Sequence, residues 1–136
     1  MTINEKLEDL LHEHVDPVER IASDYDEWTK PDGIKFFCIA QLENLKNDLQ
    51  KAISTIDEHD EPIKREILDV KSDDSLDEDR RSCIISTLVD DYRARILNAR
   101  VRMTDIYTLR IDKRIEEIKQ KNAAQRAALW AGVDTE

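Results

Sequence analysis

RRSCIISTLVDDYRARILNARVRM, residues 80–103, carries the strongest apolar rhythm in the chain. Ile85, Leu88, Tyr92, Ile96, Ala99 and Met103 recur at steps of three and four, the period of one helix face. Ile84, Val89 and Leu97 widen this stripe, and a stripe so wide has to face a core or a partner helix. The other face is basic, with Arg93, Arg95, Arg100 and Arg102 following Arg80 and Arg81 upstream. These arginines can pair with acids of the N-terminal half or cross an interface to another subunit, where the planar guanidinium makes two-pronged contacts.

The composition points the same way. Two glycines and three prolines in 136 residues leave little for hairpins or Gly-rich phosphate loops. Long amphipathic helices in a single domain over 1–136 are expected. The net charge of −10 is uneven: residues 1–80 hold 10 Lys/Arg against 23 Asp/Glu, residues 81–136 hold 11 against 8. The first half repels phosphate, so sequence-specific nucleic-acid binding is not expected. Cys38 and Cys83 lie in apolar runs without metal or redox spacing and read as small buried hydrophobes. MTINEKLEDLL has no basic-then-apolar leader pattern, and no apolar run reaches membrane-spanning length, so an intracellular chain with no membrane partner is expected.

Upstream of the central stretch, Thr2 and Glu5 form a capping-box pattern. A stripe then runs through Ile3, Leu7, Leu10, Leu11, Val15, Val18, Ile21, Ala22 and Tyr25. Pro17 suits a first helical turn and predicts a kink or short break near Val15. SDYDEWTKPDG reads as a loop, with Trp28 plugging the core. A second helix is expected from Ile34 to Ile56 with Asp32 as candidate cap. DEHDEP would interrupt it, and Pro62 would open a short helix through Ile63, Ile67 and Leu68. After an acidic loop, Ser75 and Glu78 form a second capping-box pattern. Helical rhythm then continues to about Leu129, which predicts either a bend around Thr104–Asp112 or a projecting C-terminal helix. Trp130 near its end reads as a partner contact or a terminal clasp, and the last residues should fray. The expected fold is all-α, a bundle of four to six helices with a long C-terminal helix.

Chemistry is sparse. His12-Glu13-His14 looks metal-like, but imidazoles two apart on a helix diverge by about 200°, and His59 lies in a distant acidic turn. Asp90-Asp91 and Asp73-Asp74 read as solvated faces. No nucleophile motif, phosphate loop or di-iron pattern is present. No catalytic residue, metal, cofactor or small-molecule substrate is expected.

Two stretches resemble the helical domain of the GINS replication complex, in particular its Sld-type subunit. AQLENLKNDL, residues 40–49, is similar to that family's Q-L-E run, with Gln41, Leu42, Glu43 and the terminal Leu49 at matching places. RRSCIISTLVDDYRARILNAR, residues 80–100, resembles the following long helix, with Tyr92, Arg93, Arg95, Ile96 and Leu97 standing approximately at the places of its Y-x-R-x-R-L-x-K-I-like core. LEDLL and Trp28 resemble the leading helix and its tryptophan. The segment between Trp28 and Gln41 is shorter than in the family, the loop at Lys71–Asp79 longer, and nothing resembles the family's small β-rich domain. The resemblance implies a non-enzymatic scaffold packed against other subunits, supporting the replicative helicase in the nucleus. It places Tyr92, Arg93 and Arg95 near subunit contacts; Trp130 joins them as a candidate on its position alone. The alternatives from composition are a self-associating helical bundle and an acidic inhibitor of a basic partner.

Overall fold

A computed structural model describes residues 2–133, and among them every regular element is helical. The all-α architecture consists of three long helices and one single turn. Helix α1 runs over 3–28, α2 is the turn Pro31–Ile34, α3 spans Ile39–Lys71, and α4 runs unbroken over 78–130. Lys6 meets Glu66 at 2.9 Å and Lys46 meets Asp112 at 2.7 Å, so α3 is antiparallel to both its long neighbours.

The caps explain the starts. Thr2 accepts from the Glu5 backbone N–H at 3.2 Å. The start of α3 is set by Cys38, whose backbone N–H donates to the Gln41 side chain at 2.9 Å, and not by Asp32. The start of α4 is set by Asp77, which accepts from the Arg80 N–H at 2.7 Å. Ser75, the expected cap, instead bonds the Asp73 carboxylate through its own N–H and hydroxyl.

Buried side chains recur at steps of seven: Val15, Ala22 and Thr29 on α1 and its end, and Leu42, Leu49, Ile56, Ile63 and Val70 on α3. Seven residues are nearly two turns, so these positions stay on one side and hold long helices together along their length. The heptad explains why α3 does not stop at Ile56. Its rhythm passes through DEHDEP to Ile63 and Val70, with Pro62 inside the helix and the inward Asp60 met by Arg93. It also explains Trp28. That residue is one step off the stripe, so its ring is 61% exposed and stacks edge-on to Tyr25, while Thr29 takes the core position. Cys83 is likewise one step off Ile84, and Cys38 sits at a helix mouth; both are exposed rather than buried.

Three stretches are π-helical: Leu11–Val15 in α1, and Thr87–Arg93 and Ile106–Asp112 in α4. Leu11–Val15 and Ile106–Asp112 stand where a kink near Val15 and a bend at 104–112 are expected from sequence, while Thr87–Arg93 falls inside a stretch expected to be regular helix. The helix continues through each, one turn widened by the extra residue. The core of α4 steps by four from Ile84 to Leu88, Tyr92 and Ile96, and by five from Ile106 to Ile111. On an α-helix each step of four rotates the stripe by about 40°; the wider π turn takes up that rotation and keeps the side chains inward. Of the residues that widen the stripe, Ile84 is buried while Val89 and Leu97 sit at its exposed margin. The core of α4 ends with Ile115 and half-buried Ile118, and every residue over 119–133 is exposed. The C-terminal helix therefore projects, starting near 119 rather than 104. The expected fraying of the last residues, 134–136, lies outside the described residues.

Candidate interaction surface

The basic face of α4 is where the sequence places its candidate contacts, and the structure gives Arg93, Arg95, Arg100 and Arg102 each a partner within the chain. Arg95 reaches Glu19, with Asp16 at 3.8 Å and Asp91 at 3.6 Å. Arg93 meets the buried Asp60 of α3 at 3.3 Å. Arg100 donates to Asp57 at 2.7 Å, and Arg102 meets Asp26 at 3.3 Å. The row continues two turns beyond: Arg110 meets Asp26 at 2.8 Å and donates to the Asp26 carbonyl and Thr29 hydroxyl at 3.1 and 3.2 Å. There a cation covers the carbonyl end of α1, where the helix dipole is negative. Arg81 does similar work at the opposite end, donating to the carbonyls of Asp73 and Leu76 at 2.8 and 3.2 Å and tying down the acidic loop. From Arg93 to Arg102 the pairs alternate between α3 and α1, so α4 is laced to both.

Of the four candidate contact residues, Tyr92 lies in the core with its hydroxyl pushed up by burial, and Arg93 and Arg95 are about a third exposed. Trp130 is 60% exposed on the projecting part of α4, beside Leu129 at 80%. The structure does not bring Trp130 together with the other three. We expect Arg95→Ala to lower stability by about 1 kcal/mol, because three carboxylates lose their shared cation at a partly solvated site. Urea titration at low and high salt checks this: the deficit should shrink in high salt. An unchanged midpoint at both would mean that the cluster is inert.

The histidines pair differently from their sequence spacing. His12 turns outward to Asp16 at 2.8 Å, while His14 and His59 meet Nδ1 to Nδ1 at 3.0 Å between α1 and α3. No signal in the isolated sequence links positions 45 apart; the antiparallel register of α1 and α3 does. Burial pushes the His14 imidazole below its ordinary value; Glu13, 3.9 Å away, opposes this and His59 adds to it. Between that lowered value and about 6.5 the unfolded chain binds more protons than the folded one. This contribution to stability is therefore complete above about pH 6.5 and declines as the pH falls. We expect the urea midpoint to drop from about pH 7.5 to about pH 5.5, and His14→Gln to flatten that slope. An equal slope in the variant would assign the loss to other groups.

Among the described residues no cluster of three or more His, Cys, Asp or Glu side chains could hold a metal ion. A cleft of about 400 Å³ lies between α2 and α4, bounded by Lys35, Arg110, Lys113 and Arg114 with Asp32 and Glu117. Arg110 and Arg114 are committed there to Asp26 and Glu117. Among the described residues no helix is long and apolar enough to cross a membrane.

The chain matches no protein-family model, no curated protein and no solved structure.

Proposed function

We propose that the protein is a non-enzymatic helical scaffold subunit. It joins other protein subunits by helix–helix packing, as GINS subunits do in supporting the replicative helicase during DNA replication in the nucleus. The observation that carries the scaffold reading is the uncovered end of α4: a helix that leaves the bundle with Leu129 and Trp130 exposed. An apolar tip on an extended helix suits burial against another chain. The step to a replication scaffold rests on the resemblance of residues 40–49 and 80–100 alone. In this reading Trp130 is the principal contact. Arg93 and Arg95 meet a partner only at the margins of their ion pairs, and Tyr92 shapes the surface from beneath.

A tagged pull-down from the source cells, with bound proteins identified by mass, tests the proposal. Stoichiometric recovery of three other helical replication subunits with helicase components is the expected result. Recovery of the bait alone would remove the heteromeric scaffold from consideration. Recovery of a single basic nucleic-acid-binding protein would favour an inhibitor.

A further inference from the structure

We propose that the projecting end of α4 docks onto the acidic end of a second copy of this chain, head to tail. Residues 118–133 form the longest stretch of the sequence without an acid, yet the whole chain carries −10. This arm bears Lys119, Lys121 and Arg126, all exposed, and ends in the exposed Leu129 and Trp130. The opposite end of the bundle has the complementary character. Residues 66–81 hold seven acidic against three basic side chains, and Glu5, Glu8 and Asp9 of α1 add to them. Of the three bases, Arg81 is already spent on backbone carbonyls. Leu68, 62% exposed, offers an apolar contact at this end.

Two physical points select the occupant. The ends are separated by the length of α4, 53 residues, or about 80 Å, so an arm cannot reach its own acidic end. Two arms cannot pair with each other without bringing like charges together. Residues 119–130 extend about 18 Å along the helix axis, more than twice the screening length of about 8 Å at physiological salt. Lys119 and Lys121 lie within a screening length of Glu116 and Glu117, so it is the outer arm, with Arg126, whose charge is felt apart from the negative body. A contact between unlike ends leaves a free arm and a free acidic end on every assembly. It builds open chains of copies rather than a closed dimer. This inference does not rest on the heteromeric role proposed above, but it uses the same tip of α4, so a heteromeric partner and a second copy would compete for Leu129 and Trp130.

Sedimentation velocity on the full chain, across a concentration series at low and high salt, tests it. The expected result is a mean sedimentation coefficient that rises with concentration at low salt and returns to the monomer value at high salt. Lys119→Glu/Lys121→Glu/Arg126→Glu and, separately, Asp69→Lys/Asp74→Lys should each weaken association at least tenfold. Circular dichroism confirms that each variant remains helical. Mixing the two variants should restore association, because the unchanged arm of the second variant meets the unchanged acidic end of the first. A wild-type chain that stays monomeric throughout would overturn the proposal. So would association that survives reversal of the arm, or a mixture that fails to reassociate.

Discussion

Leu88→Ala is expected to lower the unfolding free energy by about 2–5 kcal/mol, the range for emptying a well-packed leucine site. Leu88 is fully buried inside the π-helical stretch Thr87–Arg93, where α4 meets both α3 and the Leu11–Val15 stretch of α1. Three elements converge there, and the backbone cannot easily collapse into the space left behind. Against a typical total stability of about 5–15 kcal/mol the loss is large. Urea or thermal unfolding gives the number directly. Leu97→Ala, at the exposed margin of the same stripe, serves as the comparison and should cost well under half as much. A Leu88 deficit within about 0.5 kcal/mol would mean that the stripe does not face the core in solution.

Pro62→Ala should act in the opposite direction and raise stability by about 1–3 kcal/mol. Pro62 lies well inside α3, where its ring removes one N–H from the ladder and crowds the preceding turn. Alanine restores the donor. Part of the gain is offset by the greater freedom that alanine gives the unfolded chain, worth up to about 1 kcal/mol, and by the half-buried contacts of the proline ring. The flanking Ile56, Ile63 and Val70 keep their places, so the change should leave the core of α3 intact. A melting temperature equal to wild type would show that α3 has already bent to relieve the proline.

These two positions also show what could and could not be read from the chain. The stripe through Leu88 was plain in the sequence, because six apolar residues at helical spacing outweigh any local preference. The course of α3 was not. A proline next to DEHDE carries every local sign of a break, and only the repeat of seven linking Leu42 to Val70 argues for continuity. Trp28 misleads for a related reason. Size and apolarity suggest the core, but phase decides, and the smaller Thr29 holds the inward position. The basic face of α4 was legible as arginines opposite an acidic half. Which acid each meets depends on the register of three helices, which no local pattern encodes. The contact of His14 with His59 belongs to the same class. Trp130 was singled out by position, and its exposure on the projecting helix leaves it available to a partner.

The three widened turns have a consequence for how this chain tolerates change in length. Each π stretch holds one residue more than an α-helix would need to bring its flanks into phase. Removing one outward residue there, such as Asp90 in Thr87–Arg93, would return the turn to ordinary geometry and leave every side chain on both sides aimed as before. The same deletion in Ala94–Asp105 would swing all that follows by about 100°, carrying Ile106, Ile111 and Ile115 out of the core. Single-residue deletions should therefore be accepted at three places along α1 and α4 and rejected between them. These turns mark where helices of this length can lose a residue without losing the fold.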